Sequence, residues 1–369
     1  MVKRLVMCCD GTWNTPDEVK DGLPCPTNVV KLALAVSDRG ADGMEQRVFY
    51  HPGVGTKRSE RIRGGAFGYG LSRNVQDTYR FVAENYQPGD ELFFLGFSRG
   101  AFTARSAVGL VRNSGVLKPQ HLDRLDEAYA LYRSRTAHPR GVEATLFRRS
   151  WSWESRIRFI GVWDTVGALG IPALGIPLAR PWARLVNRRW AFHDTELSSH
   201  VDNAFQALAI DEQRQPFVAT LWQPQPGAVG QRVEQVWFSG VHSDVGGGYS
   251  DASLADVPLL WMADRARSCG LGFEGDAFRG RVTLAQGPAG ADIAVGPDPL
   301  GPMHDSRTGT YRLLPPLHRS IGTTDPAQEY VASSALHRRE ADPSYTPGNL
   351  AACLAGPHQV MAVDPDPVD

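Results

Sequence analysis

The 369-residue sequence has no surplus of charge of one sign: 39 Lys and Arg stand against 40 Asp and Glu, a formal net charge of −1. No global field therefore draws in nucleic acid or an anionic membrane, and a polyanion is excluded as the main partner. Long hydrophobic runs are missing too. The uncharged, largely apolar stretch Thr165 to Ala179 is interrupted by Gly167, Gly170, Pro172, Gly175 and Pro177, short of the roughly 20 apolar residues that span a bilayer. A membrane contact, if made, is expected to be transient and at the surface. Cysteine is scarce, with five scattered residues and no C-x-x-C pair, which disfavours both a disulfide framework and a structural zinc site. The apolar stretch Leu5 to Cys9 after Lys3 and Arg4 is too short for a signal-peptide core. Synthesis in the cytoplasm is expected, with any export by a route that needs no signal peptide. What is present is ordinary globular material: 42% hydrophobic and 21% charged residues exclude disorder of the whole chain.

Up to Gly100, short apolar runs alternate with helix-like stretches, the pattern of a parallel sheet wound with helices. Leu5 to Cys9, Val48 to Tyr50, Leu92 to Phe97 and Ile157 to Trp163 read as strands, and Thr27 to Val36 as a helix. Val75, Tyr79, Val82 and Tyr86 fall at helical spacing before Pro88-Gly89-Asp90 stops the run. An Arg-rich helical hairpin is expected around Leu122 to Arg149. Further on, the reading gives a helix over Val201 to Glu212, strands at Phe217 to Trp222 and Val233 to Phe238, and a capping box Ser253-x-x-Asp256 opening a helix that ends near Cys269. No internal repeat is visible.

The strongest chemical signal is Leu92-Phe93-Phe94-Leu95-Gly96-Phe97-Ser98-Arg99-Gly100-Ala101, a strand entering Gly-x-Ser-x-Gly and then a helix. A nucleophile elbow is built this way, with glycines flanking a serine held in a strained turn. The pentapeptide alone proves little; the four apolar residues before it and Ala101, Ala104, Ala107 and Val108 after it give it weight. A nucleophilic serine needs a base and the base needs an orienting carboxylate, in the chain order Ser, acid, His. Asp164 closes a strand 66 residues after Ser98, and His242 lies in the glycine-rich loop Ser239 to Gly248, 78 residues further on. Both sit just past strand ends, where open parallel sheets gather their sites. Asp211 and Asp244 are rival acids. Asp244 is better suited to holding the histidine loop, and Asp211 to an ion pair with Arg214. His121, His138 and His318 lie in polar surroundings and are expected to be solvated. Asp10-Gly11-Thr12-Trp13-Asn14 follows the first strand, and backbone N–H groups of Gly11 and Thr12, with that of Arg99, are candidates for an oxyanion hole.

These motifs resemble the α/β-hydrolase domain family that includes the phospholipase effectors of type VI secretion systems. The matching segments are Cys9 to Asn14, Tyr50 to Thr56, Gly96 to Arg105, Gly161 to Gly167, Ala207 to Glu212 and Gly240 to Tyr249, in the expected order. Cys9 replaces a usual Phe, and Gln206 stands where a His commonly precedes Ala207. The resemblance implies an α/β-hydrolase fold, a mostly parallel sheet flanked by helices, and a Ser-Asp-His esterase acting on lipid or phospholipid acyl esters, with Ser98 as nucleophile, Asp164 as acid and His242 as base. No cofactor is needed for that chemistry.

One α/β-hydrolase domain over residues 1–369 is therefore expected, with an inserted cap over 165–200 and a Gly- and Pro-rich tail over 271–369 wrapping the core. In the cap, Trp182 and other apolar residues alternate with Arg184 and Arg188, a mixture suited to an acyl groove beside an anionic head group. Two other readings remain open at this point: metal-dependent hydrolysis by Asp10, His242 and Asp244, and a binding module that keeps the fold without the activity.

Overall fold

Eight short strands, most of them buried along most of their length, line up in one parallel sheet. The computed structural model describes residues 2–11, 19–20, 23–53, 66–134, 138–167, 196–225, 227–283 and 292–363. The strands are β1 (Lys3–Cys9), β2 (Glu45–His51), β3 (Glu91–Phe97), β4 (Phe159–Trp163), β5 (Asn203–Ala209), β6 (Arg232–Phe238), β7 (Glu329–Ala332) and β8 (Gln359–Met361). Their order across the sheet is β8-β7-β6-β5-β4-β3-β1-β2, and every neighbouring pair is parallel. The order reverses at β1, so the crevice past the ends of β1 and β3 is the topological switch point, where such sheets bind ligands.

The strands are apolar on both sides because helices cover both sides. In β1, Val6 and Cys8 enter one core while Leu5, Met7 and Cys9 enter the other; in β3, Phe93, Leu95 and Phe97 face the first and Leu92 and Phe94 the second. Helices α1 (Asn28–Ala35) and α7 (Ser253–Ser268) close the first core, and α2 (Ala66–Asn85), α3 (Arg99–Ser114), α4 (Leu125–Arg133) and α5 (Val142–Trp151) the second. Helix α2 meets the sheet through Val75, Tyr79 and Val82, as their spacing predicts, and the buried Tyr79 hydroxyl donates to Gly115 O and accepts from Leu117 N–H. Helix α1 is capped by Thr27, whose Oγ1 accepts from Val30 N–H.

Three local expectations are corrected. The stretch from Val201 to Glu212 holds strand β5, not a helix. From Ala204 to Ala209 every residue is buried between β4 and β6, and a short run apolar on both faces carries no period that separates strand from helix. Phe217 to Trp222 forms no ladder strand; Ala219 makes one isolated bridge to Val166. The capping box at Ser253 is not used. Asp256 instead accepts from the buried ammonium of Lys31 at 2.6 Å and from Gly296 N–H at 2.9 Å, because an unpaired buried cation would cost more than an uncapped helix end.

The tail does more than cover the core, since β7 and β8 extend the sheet beyond β6, followed and linked by α8 (Ser333–Ala341) and α9 (Gly348–Leu354). Most of the expected cap, with Trp182, Arg184 and Arg188, lies outside the described residues, as does Thr12. Among the described residues no helix is long and apolar enough to cross a membrane.

Candidate active site

Ser98 stands between the last residue of β3 and the first of α3 with φ 57° and ψ −119°. A non-glycine residue in this region costs on the order of 1–3 kcal/mol and persists only where its surroundings enforce it. They do so by close packing. A Cβ on Gly96 would lie 2.6 Å from Gly100 O, and one on Gly100 would lie 2.1 Å from Cys9 O. Only glycine at both positions lets α3 start directly against the strand and the Cys9–Asp10 turn. Ser98 N–H donates to Trp163 O at 3.0 Å, extending the β3–β4 ladder into the elbow.

The other two residues follow strands β4 and β6, both on the same side of β3 in the sheet. Asp164 follows β4 with φ 40°, and His242 opens the short helix α6 (His242–Gly246) after β6. The His242 imidazole bridges the pair: Nε2 lies 2.8 Å from Ser98 Oγ and Nδ1 lies 2.5 Å from Asp164 Oδ2. The ring is packed against Phe97 and Phe217, with centroids 4.6 and 4.9 Å away. All three residues are buried. Burial disfavours the charged imidazole and outweighs the attraction of Asp164, so the His242 pKa falls below its ordinary value.

Asp164 is bonded at both of its oxygens. Burial opposes its ionisation, yet the charge of Arg319 and the hydrogen bond of His242 hold its pKa well below the usual carboxylate range. Its Oδ1 accepts from Ala209 N–H at 3.0 Å and from Arg319 Nη1 at 2.6 Å, and its Oδ2 from Arg319 Nη2 at 3.0 Å beside the histidine. Arg319 was not foreseen. It lies in a Pro-rich stretch with no periodic pattern, and nothing in its local sequence points to Asp164.

The rival acids are engaged elsewhere. Asp211 Oδ2 accepts from Gly240 N–H at 2.7 Å and from the Tyr345 hydroxyl at 2.9 Å, and burial raises its pKa to about 6. Its expected ion pair with Arg214 is not formed. Arg214 binds Glu212 through Nε at 2.9 Å and Nη2 at 2.8 Å, because the buried Glu212 is the carboxylate turned toward it. Glu212 also accepts from the His242 backbone N–H at 3.2 Å and from Ser306 Oγ at 3.0 Å, a second support of the histidine loop that the sequence did not reveal. Asp244 accepts from Val241 N–H and pairs with His304. Gln206 accepts from Arg105 Nη1 at 3.3 Å and donates to Thr220 O at 3.1 Å, a structural role away from the serine.

The Asp10 loop packs on the elbow, but Gly11 N–H donates to Asp10 Oδ1 at 2.6 Å. Asp10 Oδ2 accepts from Thr27 Oγ1 at 2.8 Å and from the Tyr50 hydroxyl at 2.7 Å. Asp10, His242 and Asp244 thus spend their polar atoms on three separate sets of partners, which does not fit a shared cation. Among the described residues no group of three or more His, Cys, Asp and Glu side chains is arranged to hold a metal.

A parallel sheet wound on both faces, with a serine elbow, a strand-end aspartate and a histidine loop at one edge of the crevice, defines an α/β-hydrolase. The family model for the type VI secretion system (T6SS) Tle1-like phospholipase effector catalytic domain matches residues 3–265, and the chain belongs to this family. An uncharacterized protein of Saccharomyces cerevisiae is 25% identical over 249 residues, which cover 61% of this chain and 33% of that protein. A solved structure of an uncharacterized Pseudomonas aeruginosa protein is 19% identical with a TM-score of 0.45, covering 77% of this chain and 48% of that one. The Tle1 effector bound to the VgrG spike of the type 6 secretion system is 20% identical with a TM-score of 0.32, covering 67% and 51%. The chain spans a third of the length of the yeast relative and about half of each of these structures.

Proposed function

We propose that the chain hydrolyses the acyl ester of a phospholipid by acyl transfer to Ser98. The observation that carries this reading is the continuous path Ser98 Oγ to His242 Nε2 at 2.8 Å and His242 Nδ1 to Asp164 Oδ2 at 2.5 Å, on the strained elbow of a family of phospholipase effectors. His242 takes the hydroxyl proton as Oγ attacks the carbonyl, then delivers it to the departing alcohol. Water deacylates the serine by the same route in reverse, and Asp164 holds the imidazole in the tautomer whose Nε2 accepts. The Arg99 N–H at the start of α3 supports the oxyanion. Its partner is expected from the Asp10 loop, where Gly11 N–H is already turned to Asp10 and Thr12 remains the candidate. Family membership further supports export by a type VI secretion system as the route out of the cell.

The test is covalent. Ser98 Oγ should displace fluoride from a fluorophosphonate, giving its hydroxyl proton to His242, so that the phosphonyl mass appears on the Ser98 peptide alone, and the purified chain should release fatty acid from phospholipid vesicles. A chain that neither labels nor releases fatty acid is the binding module, not the enzyme.

A further inference from the structure

The guanidinium of Arg319 is buried at the back of the site and makes four hydrogen bonds. Two go to the two oxygens of Asp164, at 2.6 and 3.0 Å; the others go to Ala209 O at 2.9 Å and Phe217 O at 2.6 Å. A staple between tail and sheet would need only the two carbonyls. Here the planar fork of arginine meets the planar carboxylate edge to edge, the geometry that fixes a carboxylate in rotation as well as in place. With Ala209 N–H and His242 Nδ1, the carboxylate's acceptor positions are filled. Phe217, whose carbonyl Arg319 holds, is also the ring lying edge-on to the imidazole, so one side chain fixes both the acid and one wall of the base.

We propose that Arg319 is a positioning residue of this site: it clamps Asp164 in the orientation His242 requires and pairs the negative charge that the imidazole faces. The proposal rests on the serine-hydrolase reading above. A proton on His242 is opposed first by burial and then by Arg214, and is favoured by Asp164 and by Glu212; Arg319 acts on it through Asp164, whose two oxygens it bonds, while Asp244 on the same short helix is occupied by His304 and Asp211 by Gly240 and Tyr345. Removing Arg319 leaves the Asp164 charge without its guanidinium partner, so its pull on an imidazole proton strengthens and His242 becomes more basic. The site then has to be rid of that proton before the serine can be activated.

The experiment uses the full chain with Arg319→Met, Arg319→Gln as the less disruptive neutral variant, and Arg319→Lys. His242 is titrated by NMR, and the rate of fluorophosphonate labelling at Ser98 is followed against pH. In the neutral variants the imidazole should titrate about one pH unit higher and the acid limb of labelling should move with it. The plateau rate should fall about 10–100-fold, as it does when an outer partner that orients a reacting group is lost. Arg319→Lys keeps the charge and loses the fork, so its His242 titration should stay near wild type while its plateau rate drops. A folded neutral variant with unmoved His242 titration and an unmoved acid limb overturns the assignment, and so does a rate loss that follows melting temperature alone. A wild-type chain that does not label at Ser98 overturns the hydrolase reading instead; the NMR titration judges the clamp separately.

Discussion

Two histidines in this molecule bind an aspartate through Nδ1 at nearly the same distance, 2.5 Å for His242 and Asp164 and 2.6 Å for His304 and Asp244. Their settings differ in almost every other respect. His242 is sealed between Phe97 and Phe217 with Ser98 at its second nitrogen, and its aspartate is backed by a buried guanidinium. The His304 side chain is 30% exposed, lies flat on Tyr249 with ring centroids 3.8 Å apart, and bonds an aspartate whose other task is to hold Val241 N–H. Under the proposed reading, a carboxylate at Nδ1 is therefore not by itself what makes a general base. What distinguishes the first pair is a hydroxyl held in place by backbone strain, a ring shielded from water and an acid with no rotational freedom.

The widest separation between the two pairs should come from the nucleophile. Ser98→Ala is expected to lower kcat for phospholipid acyl release about a million-fold with unchanged circular dichroism; residual turnover above a few per cent would assign the chemistry elsewhere. Next is the acid. Asp164→Asn should cost about four orders of magnitude, because the amide enforces the wrong imidazole tautomer. The same kinetics should show wild-type kcat/KM holding its value down to a pH below about 6.5, the ordinary imidazole value, since burial depresses His242. An acid limb above that value would contradict the balance of charges described. The second pair gives the contrast: His304→Gln should change kcat/KM by less than about threefold and act on melting temperature. A loss approaching that of Asp164→Asn would make the outer pair part of the reaction.

The smallest effect concerns Asp211, whose pKa in the fold is raised to about 6. A carboxyl raised above its unfolded value stabilises most when protonated, below the unfolded pKa of about 3.9, and that contribution is lost as pH rises through the folded value. Asp211→Asn keeps an acceptor for Gly240 N–H and the Tyr345 hydroxyl and removes the buried charge. It should raise the melting temperature at pH 8 by about 2 °C and leave it unchanged near pH 4. Equal shifts at both values would show that the charge is not what matters.

That Ser98, Asp164 and His242 meet was legible because each follows an apolar run that stops abruptly, and their order along the chain matches an acid-before-histidine elbow fold. The elbow glycines were legible for the same reason. The supports were not. Arg319 and Ser306 come from stretches without period, Glu212 was hidden in a segment read as helix, and strands β7 and β8, of four and three residues, are too short to mark themselves. A residue at a strand end announces its position; one that reaches the site through a long irregular path does so only in three dimensions.

The bond between Asp164 and Arg319 spans 155 residues of chain, and this separation is also an interval of time. At synthesis rates of 5–20 residues per second, Asp164 leaves the ribosome roughly 8–30 s before Arg319 does. Throughout that interval the nascent chain can hold Ser98 and, later, His242, while the carboxylate that must orient the imidazole still lacks its cation and β6 still lacks its outer neighbours. Under the proposed reading, the segment that carries Arg319 acts as the arming step, so that a lipid-cleaving site is completed only once the chain has grown well past the histidine loop.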